Sequence, residues 1–269
     1  MWGVHDLTVR YGEVTALSGV DLEAIPGELV AVVGGDGAGK TTLLRTLAGA
    51  IEPASGTVDG PPLSELGFMP TSAGTWLDLS VDENIAFVAA AQHVTGATLK
   101  ERREALLRGA GLVGAEHRLA RQLSGGMRQK LAFSLAMLHR PPLLILDEPS
   151  TGVDPVSRVD LWRMIAQAAS DGAAVVMATT YLDEAERASR VIVLDEGQVL
   201  LEGTPAEVLA SIPGHVLTSD EPGDRSRAWR RGSRYRVWSP DAPPPGQARA
   251  DDLEDAVVAA ALAKGESRV

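Results

Sequence analysis

The chain has 269 residues, a net charge of −11 and a pI near 4.9, which suits one large domain, or one domain with an appendage. The acidic balance argues against a broad basic face, and so against nucleic acid as a partner. Without cysteine there are no disulfides, thiolate metal sites or thiol nucleophiles.

The first residues, Met1-Trp2-Gly3-Val4-His5-Asp6, lack the charged and apolar regions of a signal peptide. No apolar run approaches the ~18–20 residues that cross a bilayer. The expectation is a cytoplasmic chain that reaches a membrane only through a partner. Residues 4 to 33 alternate apolar and polar in short runs, broken at Tyr11-Gly12 and Pro26-Gly27, the pattern of half-buried strands.

The string Gly34-Gly35-Asp36-Gly37-Ala38-Gly39-Lys40-Thr41-Thr42 then fits G-x-x-x-x-G-K-[ST], a phosphate-wrapping loop. It follows an apolar strand, Leu29 to Val33, and opens a helix predicted over Thr42 to Ala50. Glycines let backbone N–H groups converge on phosphate oxygens, and the helix N-terminus adds positive potential there. Lys40 suits the β- and γ-phosphates, and the Thr41 hydroxyl suits Mg²⁺. Lys-Thr has no use in a plain Gly-rich turn, so a nucleoside triphosphate with Mg²⁺ is the expected ligand.

From about 76 to 140 the pattern turns helical. Ser80-Val81-Asp82-Glu83 is a capping box that opens a helix over Val81 to His93. A charged helix is predicted over Leu99 to Gly109. Leu131, Leu135 and Leu138 mark one face of another helix, which stops before Pro141-Pro142. Within this stretch, Leu123-Ser124-Gly125-Gly126-Met127-Arg128-Gln129 places a Ser cap and two glycines at a helix start, a second anion cradle. One monomer needs only one cradle, so the second points to a triphosphate shared between two chains.

Buried parallel-sheet strands are predicted at Leu143 to Leu146, Ala174 to Ala178 and Val191 to Leu194. The first delivers two carboxylates, Asp147 for the metal and Glu148 to polarise a water aimed at the γ-phosphate. Asp154-Pro155 is a cap with Pro at N1, and Asp171-Gly172 ends that helix. The sum is an α/β fold of P-loop NTPase type, with a mixed sheet core and a helical insertion between the phosphate loop and the acidic strand end.

Beyond Pro213 the composition shifts. Arg225, Arg227, Arg230, Arg231, Arg234 and Arg236 crowd one short stretch, read as a solvated strand or face rather than a lipid or partner contact. His215 to Thr218 and Tyr235 to Trp238 read as strands, Pro240 to Gly246 as a Pro-rich joint, and Asp252 to Lys264 as an Ala/Val-rich helix. Residues 1–213 and 214–269 are therefore expected to form a main domain and a small α+β extension.

With these motifs in this order, residues 3 to 215 resemble the ATP-binding subunits of ABC transporters. The resemblance implies that Tyr11 stacks on adenine, that Gly34 to Thr42 is the Walker A loop, and that Asp147-Glu148 is the Walker B pair. It implies that Ser124, Gly125 and Gly126 clamp the ATP of an opposing subunit, and that Ser150 to Asp154 is the loop between sites. The strings Asp36 to Gly39 and Thr180 to Glu186 resemble the drug and polyketide exporter branch. Implied partners are a transmembrane permease, docking between Thr71 and Leu99, and a second ATPase subunit at the cytoplasmic face of the membrane.

Two positions depart from that pattern. Thr71 stands where the family places a Gln near Mg²⁺, and Thr180 where it places a His against the γ-phosphate. Thr is shorter than either and forms no cation near neutral pH. A lost transition-state contact costs about 2–4 kcal/mol, roughly 30- to 1000-fold in rate. Binding should survive while turnover at this chain's own site slows, and the intact Ser124-Gly125-Gly126 could serve a competent site on an unlike partner. Alternatives are a homodimer, a non-hydrolysing regulatory subunit, and a soluble ATPase of the same type.

Overall fold

A computed structural model describes residues 1–72, 74–241 and 252–266. Its centre is a six-stranded sheet ordered β5-β6-β7-β3-β8-β9: β5 is Leu66–Met69, β6 Leu143–Asp147, β7 Ala174–Thr179, β3 Leu29–Val33, β8 Arg190–Asp195 and β9 Gln198–Gly203. The first five run parallel and β9 is antiparallel to β8. Parallel strands are covered on both faces, which is why β3, β6 and β7 are apolar almost throughout.

Their side chains divide by pleat. Leu29, Ala31 and Val33 of β3 join Leu144, Leu146, Val175 and Met177 in one core cluster, closed by Leu161, Trp162 and Ile165. Val30 and Val32 join Leu143, Ile145 and Val176 in a second, closed by Leu43, Leu44 and Leu47. The latter three lie on α1, Lys40–Leu47, and the former on α5, Pro155–Ser170. The second cluster also takes Leu7, Leu17 and Leu22 from an antiparallel sheet ordered β2-β1-β4, in which β1 is Trp2–Tyr11, β2 Val14–Ala24 and β4 Ser55–Asp59.

The helical stretch holds α2 (Val81–Ala91), α3 (Gly96–Ala110) and α4 (Gly125–Ala136). They build a separate core around Val81, Ile85, Leu107, Leu112, Leu131, Leu135 and Leu138. The Ser80–Glu83 capping box is present in both directions, Glu83 N donating to Ser80 Oγ at 3.2 Å and Ser80 N to Glu83 Oε2 at 2.7 Å. Asp154 caps α5 by accepting from the backbone N–H groups of Val156 and Ser157.

The C-terminal strands β10 (His215–Ser219), β11 (Ala228–Arg231) and β12 (Arg234–Ser239) form a third sheet, ordered β10-β12-β11. Helix α8, Leu253–Glu266, packs on it and on the main sheet. It follows two short helices on the main body, α6 (Leu182–Ala185) and α7 (Pro205–Ala210).

Several expectations need correction. Helix α1 starts at Lys40 and ends at Leu47, not Thr42 to Ala50, because the loop feeds directly into it and Gly49 turns the chain at φ +71°. The extension has three strands rather than two. The arginine-rich stretch is not simply a solvated face. Arg231 pairs with Asp252, Glu254 and Asp255, and Arg236 with Asp255 at 3.3 Å, so two of its members hold α8. Of the Pro-rich joint, residues 242 to 246 lie outside the described residues.

Candidate nucleotide site

In an open parallel sheet, ligands gather beyond the carboxyl ends of the strands, and register decides which residues meet there. Val33 pairs with Thr179 across β3 and β7, Asp147 with Ala178 across β6 and β7, and Met69 with Leu146 across β5 and β6. The residues that follow, Gly34, Glu148, Thr180 and Pro70-Thr71, therefore leave the sheet along one edge. Positions 32 to 146 residues apart in sequence are brought together by strand alignment.

The loop from Gly34 to Gly39 turns into α1 with Gly39 at φ +105°, a left-handed conformation that suits only glycine. A Cβ there would also stand 2.6 Å from the Leu17 side chain and 2.9 Å from the Ala16 carbonyl oxygen. The start of β2 thus braces the loop, and Tyr11 precedes the turn into that strand. Tyr11 is 52% exposed, an uncovered ring at the end of β1. The Cβ positions of Gly35 and Gly37 face open space.

Lys40 is buried, and its ammonium donates to the carbonyl oxygens of Gly34 at 2.8 Å and Gly35 at 3.1 Å. Thr41 Oγ1 donates to Asp147 Oδ1 at 3.1 Å. Asp147 is 1% exposed, and its other oxygen, Oδ2, is buried with no hydrogen-bond partner among the described residues. An ionised carboxylate oxygen left bare in the interior is costly. A divalent cation beside Thr41 and Asp147 would satisfy it, so the donor set fits Mg²⁺, a cation that takes a carboxylate, a hydroxyl and substrate phosphates.

Glu148 departs from the end of β6 at φ +52°, a conformation rare for a residue with a long side chain. Its N–H donates to the Ala178 carbonyl oxygen at 3.0 Å, which fixes the turn. The carboxylate lies 3.9 Å from the Lys40 ammonium, and Thr151 Oγ1 donates to it at 3.1 Å. A reverse turn at the strand end thus points the second carboxylate at the phosphate loop, where it can orient a water.

Thr71 and Thr180 are both exposed. The polar work behind Thr180 falls to its neighbour: Thr179 Oγ1 donates to Glu184 Oε2 at 2.6 Å and accepts from Tyr181 N at 3.0 Å. Glu184 is 1% exposed. Sequence reasoning had given Thr179, Glu184 and Thr151 no role in this arrangement. The five-residue spacing between a strand-end Thr and a Glu on the next helical turn was the available signal.

Ser124, Gly125 and Gly126 open α4, and the Ser124 hydroxyl accepts from Met127 N at 3.2 Å. Ser124 is exposed and available to a molecule outside the chain. A Cβ on Gly126 would stand 2.3 Å from Ser157 Cβ, so this glycine lets α4 seat against the start of α5. There the hydroxyl and amide of Ser157, with the Val156 amide, hold the Asp154 carboxyl below its usual range.

Phosphate loop, Walker-type carboxylate pair and strand-edge alignment together define a nucleoside-triphosphate-binding α/β protein with a helical insertion. The family profile described as ABC transporter matches residues 17–151. The chain is 36% identical over 212 residues to the Nod factor export ATP-binding protein I of Cupriavidus metallidurans, covering 75% of this chain and 70% of that protein. It is 35% identical over 218 residues to the daunorubicin/doxorubicin resistance ATP-binding protein DrrA of Streptomyces peucetius, covering 77% and 66%. Identity is 39% over 222 residues with the probable multidrug ABC transporter ATP-binding protein YbhF of Escherichia coli K12; the match covers 78% of this chain but only 38% of that relative's length. A solved ATP-binding subunit of an ABC transporter superposes with a TM-score of 0.72 at 28% identity, over 78% of this chain and 92% of that one. This chain belongs to the ABC transporter family, on its ATP-binding side.

Proposed function

We propose that the chain is the ATP-binding subunit of an exporter, acting on a separate transmembrane permease from the cytoplasmic face of the membrane. Residues 1–213 would form the ATPase unit, with its helical subdomain at about 76–140, and residues 214–269 a supporting extension. The observation that carries the nucleotide reading is the orphaned Asp147 Oδ2 beside the Thr41 hydroxyl, at the mouth of a loop whose lysine is already drawn inward. The names of the relatives support export. Among the described residues no helix is long and apolar enough to cross a membrane.

When bound, Mg-ATP supplies an electrophilic γ-phosphorus. Backbone N–H groups of residues 34 to 41 would bind the phosphates, Lys40 would exchange its carbonyl partners for phosphate oxygens, and Thr41 and Asp147 would hold the metal. Glu148 would orient the attacking water and accept its proton, while Tyr11 would stack on the base. Ser124, Gly125 and Gly126 would reach the nucleotide of an opposing ATPase, so closure on ATP would draw two subunits together.

The permease would dock on the insertion. Trp76, Leu77 and Phe87 are 44%, 43% and 50% exposed, and the rings of Trp76 and Phe87 lie 4.3 Å apart. Fully buried Asn84 stiffens this patch by accepting from Trp76 N and donating to the carbonyl oxygens of Trp76, Leu79 and Ser80.

The pairing would be asymmetric, because Thr71 and Thr180 lack the reach of Gln and His. This chain's own site would turn over slowly while its Ser124 to Gly126 segment serves a faster site on a different ATPase. Glu148→Gln in this chain should then lower whole-complex turnover less than the same change in the partner. Abolition of turnover by Glu148→Gln alone would contradict the asymmetry and favour a homodimer.

A further inference from the structure

On the side of the molecule formed by α3, α4 and α5, a cavity of about 1090 Å³ opens between the helical insertion and the main body. Ligand pockets run from about 300 to 1,000 Å³, so the space suits an organic molecule rather than a single ion. It belongs to neither the phosphate loop nor the Trp76–Phe87 patch.

The lining combines two chemistries. Leu106, Phe133, Met137, Leu138 and Met164 supply an apolar floor. Arg102, Arg108, Lys130, Arg140 and Arg163 also line the cavity, against only two carboxylates, Asp160 and Asp171. With Glu101 and Glu104, which pair with Arg140 and Arg108, the neighbourhood holds five cations against four carboxylates, a slight positive balance in a chain carrying a net charge of −11. The arginines are held only loosely. Arg102 donates to the Leu138 carbonyl oxygen at 3.0 Å and has no carboxylate partner among the described residues. Arg108, Arg140 and Arg163 reach carboxylates that are exposed or half-exposed, at 3.4 to 3.7 Å, pairs that solvent weakens.

Two further polar groups lie in the lining, one without a partner and one paired across it. Ser134 on the same wall is 5% exposed, and its hydroxyl has no hydrogen-bond partner among the described residues, an omission native interiors seldom leave uncompensated. Lys130, also nearly buried, reaches across from α4 to Asp160 of α5 at 3.4 Å.

We propose that this cavity binds an organic anion with an apolar body, its acidic group held by the arginines at the rim and its body on the Phe133–Met164 floor. Such an occupant would tie α3 and α4 to α5. Since α4 begins at Gly125, the tie would bear on the same helix that presents Ser124 to Gly126. The site is independent of the nucleotide reading.

The probe is 8-anilinonaphthalene-1-sulfonate, an aromatic body with one sulfonate, titrated into the full chain by fluorescence with saturating ADP present. Three variants accompany it. Arg102→Glu reverses one rim charge. Gly109→Phe fills the cavity from α3 at a lining glycine whose Cβ would meet nothing within 4 Å, and a helix gains from losing a glycine, so folding is preserved. Trp76→Ser removes the exposed aromatic patch. The expected result is saturable binding of one probe per chain, unaffected by ADP or Trp76→Ser and weakened roughly tenfold or more by Arg102→Glu and by Gly109→Phe. Binding that ADP displaces, binding untouched by both cavity variants, equal affinity for uncharged N-phenyl-1-naphthylamine, or no saturable binding would each overturn the proposal.

Discussion

The phosphate-loop edge and the C-terminal extension hold their charged groups in opposite ways. At the loop, Lys40 is tied by backbone carbonyls, Asp147 by one hydroxyl, and Glu148 by a single hydrogen-bonded turn. Asp147 and Glu148 are fixed by a strand end whose register is set by apolar packing and Lys40 by the first turn of α1, and each keeps capacity for a ligand. In the extension, charges meet one another: Arg231 and Arg236 converge on Asp255, and Lys264 reaches Asp195 at 2.6 Å. Asp255 is closed off from solvent there, although neither of its oxygens completes a hydrogen bond among the described residues. Charge held by backbone and hydroxyl groups beside a strand end suits a site built for chemistry, whereas charge held mainly by opposite charge suits an attachment.

The widest separation between the two regions should come from Lys40→Ala. It removes a cation that the phosphates need and that the fold holds only through two loop carbonyls. Nucleotide affinity should fall by roughly 100-fold or more while thermal unfolding moves little, as read by a fluorescent ATP analogue and calorimetry. A large loss of stability with retained binding would reverse the comparison.

The next effect concerns the two threonines at the edge. Replacing Thr71 with Gln and Thr180 with His restores the reach the site lacks, and turnover at this chain's own site should rise by about 30-fold or more. Single-turnover hydrolysis measured with the opposing site disabled isolates it. Unchanged turnover would show that Thr71 and Thr180 do not limit this site.

The smallest effect lies in the extension. Burial, aided by the nearby Asp252 carboxylate and opposed by Arg236 and Arg231, raises the Asp255 pKa to about 6. In the unfolded chain it returns to about 3.9. Between those values the folded form binds more protons than the unfolded one, so this residue's contribution to stability is greatest at low pH and is lost as pH rises through about 6. Urea unfolding of wild type and Asp255→Asn should therefore diverge with pH, the wild type gaining on the variant by on the order of 2 kcal/mol between pH 7 and 4. A pH-independent difference would mean the carboxyl stays ionised against its two arginines.

What the sequence made legible follows the same division. The phosphate loop, the β6 carboxylates and the Ser80 and Asp154 caps are short-range patterns, in which neighbouring residues create the physical constraint. Strand β4, Ser55–Asp59, escaped reading because it lies exposed or half-exposed throughout and has no apolar alternation. The left-handed Glu148 turn was invisible because its cause, the Ala178 carbonyl oxygen, comes from another strand. Likewise the pairing of Arg231 and Arg236 with Asp255 depends on a partner 19 or more residues away. The cavity among α3, α4 and α5 arises only when the insertion folds back on the main body.

The central claim is that this ATP-binding chain works beneath a permease alongside an unlike ATPase. It is tested most directly by tagging the chain in its own host, solubilising membranes gently and identifying what co-purifies. The account predicts a transmembrane protein together with a second ATPase that carries Gln and His at the positions equivalent to Thr71 and Thr180. Recovery of the chain with no membrane protein would contradict it.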